Sequence, residues 1–182
     1  VIKRAVTILI ILAWCILSLP TVQAEERLPS EYQVKLAFLL NFARFVEWPK
    51  DAFADATSPI VLGILGDDPF GTSLASIRGK TIHGRKVLIN KFKDVDDIRD
   101  CHILFVSSSE KNHLSRIIPF LRQAKILSVG DMRKFAQKGG VINFVVENDK
   151  VGFEINVDAG KRAGLQISSK LLSLARIVRD SQ

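Results

Sequence analysis

Hydrophobic residues in this chain fall into two kinds of run. From Ser30 to Trp48 they go most of the way round a helix, at Val34, Leu36, Phe38, Leu39, Leu40, Phe42, Phe45 and Val46. A helix with so little polar face is either largely buried or covers a partner. Ser30 is placed to cap it and Pro49 to end it. The second kind is short, apolar and β-branched: Ile60 to Leu65, Val87 to Phe92, Cys101 to Val106 and Ile126 to Val129. These read as buried strands. Helices are predicted between them. One follows the turn Gly66 to Gly71, with Asp68 as N-cap and Pro69 at the first helical position, and Gly79 stops it after Arg78. Another follows Ser107 and Glu110, which have capping-box spacing, and runs to about Gln123. A third, short one starts at Asp131 and ends at Gly139-Gly140.

Beyond Gly140 the period changes to two. Val141 to Val146 and Val151 to Val157 flank Glu147-Asn148-Asp149-Lys150, a hairpin turn. In the second arm Val151, Phe153, Ile155 and Val157 share one face, and Gly152, Glu154 and Asn156 the other. A helical turn through Ala163 and Gly164 follows. Ser168 then caps a last predicted helix with an apolar stripe of Leu171, Leu172, Leu174, Ala175 and Val178. Strands alternating with helices imply an α/β fold: a three-layer sandwich, its sheet mostly parallel, with an antiparallel hairpin near the C-terminus.

The N-terminal run has a different purpose. Lys3 and Arg4 precede an apolar stretch from Ala5 to Leu19, Pro20 breaks it, and Val22-Gln23-Ala24 supplies small residues at a cleavage site. That order is a secretory signal peptide, residues 1–24, and the stretch falls short of the roughly 20 residues of a membrane span. The expected mature chain, residues 25–182, is one domain in the periplasm. The whole chain carries a formal charge of +7. Without Lys3 and Arg4 it has 24 basic against 19 acidic residues, scattered rather than clustered, which gives no nucleic-acid signature. Of the two cysteines, Cys15 lies in the leader, so Cys101 has no internal disulfide partner. An unpaired thiol in an oxidising compartment can link two chains into a homodimer, but a small residue opening an apolar run is an ordinary core position.

Little in the sequence points to catalysis. Gly63, Gly66 and Gly71 lack the dinucleotide spacing, and no phosphate-binding loop is present. His83, His102 and His113 are far apart, and His102 and Cys101 point to opposite faces of a strand, so no metal site and no cofactor are expected. No nucleophile elbow surrounds Ser107 to Ser109. An acidic pair after the first strand, Asp67-Asp68, resembles a phosphorelay receiver's, but the strand that would carry the phosphoacceptor ends in Val106-Ser107, without an aspartate.

Two candidate binding regions remain. Asn41 and Arg44 interrupt the first helix at i, i+3 and share a face, which Glu47 extends and Trp48 closes. With Phe70, either an exposed aromatic anchor on its turn or an inward staple, these are the candidate partner-binding residues. Asp67, Asp68 and Gly71 sit where open α/β sheets bind ligands, beyond the carboxyl end of a strand, and are the candidate ligand-binding residues. The polar stripe Ser169, Ser173 and Arg176 on the last predicted helix reads as a solvated face.

Several segments taken together resemble the YfiR-like family of bacterial periplasmic proteins. They are Val34 to Pro49, Gly66 to Gly71, Cys101 to Phe105, Ser128 to Asp131, Gly139-Gly140, Phe153 to Asn156, Arg162 to Leu165 and Ile167 to Leu172. The resemblance implies a compact, non-catalytic α/β protein. It implies a repressor that holds the periplasmic sensor region of an inner-membrane diguanylate cyclase inactive, and that an outer-membrane peptidoglycan-binding lipoprotein sequesters. The sequence departs from the best-known member in its cysteines: disulfide pairs there, Cys101 alone here. The alternative class is a periplasmic small-molecule receptor seated at Asp67 and Asp68.

Overall fold

The computed structural model describes residues 30–181. The predicted signal peptide, with Cys15, lies outside the described residues. The first helix, α1 (Glu31–Arg44), starts in a capping box: Gln33 N–H donates to Ser30 Oγ (3.3 Å) and Ser30 N–H to Gln33 Oε1 (2.7 Å). It ends four residues before Trp48. Phe45 N–H reaches the carbonyls of both Asn41 and Phe42, the chain straightens into β1 (Val46–Glu47), and this pairs antiparallel with β9 (Gln166–Ile167). The predicted helix over 45–48 is corrected by that pairing.

Eight strands form the main sheet. They are β2 (Ile60–Leu65), β3 (Thr81–Ile82), β4 (Arg85–Phe92), β5 (Ile103–Val106), β6 (Leu127–Gly130), β7 (Ile142–Glu147), β8 (Lys150–Asn156) and β10 (Arg176–Val178). Their spatial order is β10-β8-β7-β6-β5-β2-β4-β3. The run β4-β2-β5-β6-β7 is parallel; β8 turns back antiparallel to β7, and β10 lies parallel to β8. The chain leaves β2 first to one side and then to the other, so the order reverses between β2 and β5, as in a doubly wound sheet.

Helices cover both faces. On one, α1 packs with the 3₁₀ segment Gly71–Ile77, α3 (Val157–Arg162) and α4 (Ser169–Leu172) over Leu62, Ile64, Phe105, Val129, Ile142 and Ile155. On the other, α2 (Leu114–Gln123) and Phe135 pack over Leu65, Leu104 and Val106. This is the expected three-layer α/β sandwich with its antiparallel hairpin. The hairpin turns on Asn148 and Asp149, both at positive φ (51° and 58°), as a two-residue turn requires.

Several local predictions yield to tertiary contacts. After Ser107 the chain makes a 3₁₀ segment (Ser108–Asn112) before α2, because Glu110 turns to His113 Nδ1 (2.9 Å) instead of closing the box. Asp131 starts no helix, since its carboxylate receives the Tyr32 hydroxyl and the Lys35 ammonium; residues 133–139 are turns. The predicted last helix stops at Leu172, and β10 completes the sheet edge instead. There Arg176 bonds Glu154 through Nε (3.0 Å) and Nη2 (2.6 Å) and pairs with Glu147 (3.1 Å), ties that an α-helix over 169–178 would not bring to the sheet.

Candidate partner-binding surface

The outward side of α1 carries Asn41 and Arg44, both exposed, with Arg44 Nη1 at 3.5 Å from Asn41 Oδ1. The bend at Phe45 sets β1 across the end of the helix. Val46 is fully buried and anchors it, so Glu47 points out. Trp48 follows, half-buried, with its Nε1–H donating to the His102 carbonyl (3.2 Å). Glu47 and His83 line two adjoining grooves. The larger, about 620 Å³, is also walled by Trp48, Phe53 and Arg85; the smaller, about 230 Å³, by Arg44 and Gln166. The structure therefore brings Asn41, Arg44, Glu47 and Trp48 to one surface, although only the first two share the helix.

The walls of this surface are held firmly. Phe53 stacks on the His102 ring (4.3 Å between centroids, 10° between planes) and meets Trp48 edge-on at 6.3 Å. The Arg85 guanidinium lies 3.9 Å over Phe53 and donates to the carbonyls of Asp55 and Ser58. Asp55 ties its own turn by accepting from Thr57 and Ser58, and the Thr57 hydroxyl and the backbone N–H groups bring its carboxyl down to about 2. His83 sits at positive φ (50°) in the β3–β4 turn, and its Nε2 is 3.1 Å from the Ala43 carbonyl at the end of α1.

His102 joins these walls to the sheet. Val61 N–H donates to its Nδ1 (3.1 Å), which fixes the neutral tautomer, so Nε2–H donates to the Ala52 carbonyl (3.0 Å). Burial pushes its pKa below 6.5, against a raising contribution from the bond to Ala52. Protons therefore bind the unfolded chain before the folded one as pH falls. Stability that is full above pH 6.5 is expected to fall below it, by at most about 1.4 kcal/mol per pH unit for this one group. Urea unfolding from pH 8 to pH 5 in the protein and in His102→Gln checks this; equal pH slopes would refute it.

The other candidate residues are placed differently. Phe70 is 4% exposed and turns inward, edge-on to Phe105 (4.8 Å) and Tyr32 (5.8 Å), which removes it from the surface and makes it a core residue. Asp67 is exposed, and its N–H donates to Ser109 Oγ (3.0 Å). Asp68 Oδ1 accepts from Phe70 and Gly71 N–H, and its Oδ2 meets Lys91 Nζ at 2.7 Å. Burial works to raise the Asp68 carboxyl; Lys91 and the two N–H groups outweigh it, and the net shift is downward. Gly71 stands in open space at positive φ (52°). The crevice between the ends of β2 and β5 is filled at Gly66, where a Cβ would overlap Ser109 and Glu110. Cys101 is also held: its thiol donates to the Ile103 carbonyl (3.1 Å), and burial pushes it up to about 12.

The model of one known family, described as YfiR/HmsC-like, matches residues 32–176. The chain belongs to the YfiR/HmsC-like family. The match runs from Tyr32 on α1 to Arg176 at the start of β10, so it spans both faces of the sandwich. YfiR/HmsC-like proteins are a regulatory, non-catalytic, periplasmic family that acts by binding a partner protein. Among the described residues no helix is long and apolar enough to cross a membrane, and no group of three or more His, Cys, Asp or Glu side chains is arranged to hold a metal.

Residues that the sequence reading passed over complete this YfiR/HmsC-like structure. Lys35, 1% exposed, sets its ammonium between both Asp131 oxygens (2.8 Å each) and Glu31. Tyr32 donates to the same Asp131 (2.9 Å), and burial, then that bond and the charges of Asp131 and Glu31, raise its hydroxyl to about 12. The cluster ties the start of α1 to the loop after β6. The available signal was a lysine beside Leu36 and four residues before Leu39, on the apolar side of the helix. Phe53, His83 and Arg85 had no signal, because only the fold brings them beside Trp48.

Proposed function

We propose that this chain, exported by the leader over residues 1–24 and cut after Ala24, is a periplasmic repressor. It binds the periplasmic sensor region of an inner-membrane diguanylate cyclase and holds the cyclase in its inactive state, lowering cyclic di-GMP. An outer-membrane peptidoglycan-binding lipoprotein competes for it and releases the cyclase. Repression of this kind needs only that the inactive cyclase bind more tightly than the active one.

The observation that carries the reading is the surface at the end of α1. It sets an exposed cation and amide, Arg44 and Asn41, beside a groove walled by Trp48 and Phe53. Its aromatic walls are pre-positioned by the Trp48–His102 and Arg85–Ser58 hydrogen bonds, which lowers the ordering cost of docking. An aromatic pocket with arginine at its rim is the composition that concentrates binding energy at protein interfaces.

The test is titration of the isolated sensor region with the purified protein. Arg44→Glu is expected to weaken binding about tenfold, or 1.4 kcal/mol, with the circular dichroism spectrum unchanged. If the unaltered protein does not bind a sensor region, the cyclase reading falls; if Arg44→Glu binds equally well, the surface is wrong. The small-molecule alternative is favoured by neither the Lys91-paired Asp68 nor the filled space at Gly66.

A further inference from the structure

The sheet has an unfinished edge. Strand β4 runs from Arg85 to Phe92, but β3 covers it only through the pairs Thr81↔Lys86 and Ile82↔Arg85. Beyond them Val87 N–H donates outward to the Lys80 carbonyl (2.9 Å), while the Phe92 carbonyl accepts from Gly66 on the β2 side. In a parallel strand, N–H and C=O of one residue point the same way and alternate along the chain. Ile89 and Lys91 therefore aim their backbone groups away from β2, and among the described residues nothing receives them.

The side chains around this edge define what fits it. Leu88 is 49% exposed and lines a groove of about 470 Å³ with Pro59, Val61, Asn90 and Cys101, into which an apolar side chain can reach. Arg78, Lys80, Lys86 and Lys93 are exposed and form no ion pair among the described residues. Of the nearby acids, Asp68 is engaged by Lys91, and Asp94 and Asp96 by Arg116; Asp67, Asp97 and Asp100 are exposed and form no ion pair among the described residues, and Asp100 lines the groove.

We propose that the β4 edge is a second docking site, taking an extended segment of a partner polypeptide in which acidic and apolar residues alternate. The segment adds as a strand on Ile89 and Lys91: on one face its apolar side chains meet Leu88, and on the other its carboxylates meet Lys80 and Lys93. A second copy of this chain does not suit the edge, because antiparallel pairing of two β4 strands sets the lysines of one against those of the other. Phe53 lines both this groove and the one beside Trp48, so the two sites adjoin.

Lysines on an edge strand also serve to block pairing, and the experiment separates the two roles. The isotope-labelled protein is titrated with a peptide of alternating glutamate and valine, with the same peptide N-methylated throughout, and with polyglutamate, while amide exchange is followed by NMR. In the free protein Ile89 and Lys91 amides exchange fast and those of Leu88 and Asn90 slowly. The alternating peptide is expected to bind and protect Ile89 and Lys91, and the N-methylated one, lacking those donors, to fail. Lys80→Glu with Lys93→Glu, both at exposed positions, is expected to weaken binding roughly tenfold or more. Absence of binding, equal binding by polyglutamate or by the N-methylated peptide, or protection confined to other amides would overturn the proposal.

Discussion

Replacing Lys35 with methionine is expected to cost the fold about 3 kcal/mol, the lower end of what removing one partner of a buried ion pair costs. The side chain is 2% exposed, so water does not replace its contacts. It neutralises Asp131, whose side chain is 14% exposed, and lies 4.7 Å over the Tyr32 ring and 5.8 Å over that of Phe144. With the ammonium gone, Asp131 keeps the Tyr32 hydroxyl and whatever solvent its partial exposure admits, which places the cost at the lower end. Lys35→Met combined with Asp131→Asn is expected to be less destabilised than the sum of the two single changes, since neither leaves a charge unpaired in the other's background. Urea unfolding midpoints of the four proteins measure this coupling. A Lys35→Met midpoint equal to that of the unaltered protein would refute the role assigned to the cluster.

Gly140→Ala is expected to cost a similar amount, about 2–3 kcal/mol, for the opposite reason: too much volume rather than a missing partner. Phe135 is fully buried, and a Cβ on either Gly130 or Gly140 would overlap its ring. Gly140 N–H also donates to the Phe135 carbonyl (3.0 Å), so backbone and ring cannot separate independently. For a domain of this size such a loss lowers Tm by roughly 5–10 °C. Phe135→Ala is costly by itself, through the cavity it leaves. Adding Gly140→Ala to it is expected to cost nothing further, because the new methyl group then enters empty space. Calorimetry on the two single variants and the double tests this, and strict additivity would show that ring and glycine do not compete for space.

These two sites differ in how far the sequence announced them. Gly139-Gly140 stands out in the chain as the end of an element, but the need for a glycine comes from Phe135 folding back over it. Lys35 lies in a run of apolar residues where a single charge is easily passed over as a helix's wet edge. Its partner Asp131 is 96 residues away and looks, by local rules, like a helix cap. Asp68 bonds the turn ahead of it, through Phe70 and Gly71 N–H, but it caps no helix: the 3₁₀ segment there starts at Gly71 with Phe70 at its N-cap and no side-chain cap bond. The spacing of Arg176 suits a helix, yet the side chain's hydrogen bonds go to Glu154 on the adjacent β8 and to Glu147 on β7 beyond it. At the candidate surface, Asn41 and Arg44 share one helix face, as their i, i+3 spacing implies. Glu47 reached the same surface by another route, through the β1–β9 pair.

Short-range chemistry in the sequence accounts for the α1 cap at Ser30, the buried strand from Ile60 to Leu65, the hairpin turned at Asn148 and Asp149, and hence the α/β class. Each of these follows from the period of apolar residues or from a side chain bonding its own backbone a few residues away. The tertiary structure alone decided where α1 stops, that residues 176–178 are a strand, and that Phe70 is core. It also decided that Lys35 and Asp131 form one buried pair. Those outcomes depend on ladder hydrogen bonds, burial and charge pairing between segments distant along the chain, energies that outweigh a few tenths of a kcal/mol of local preference and that no spacing in the sequence records.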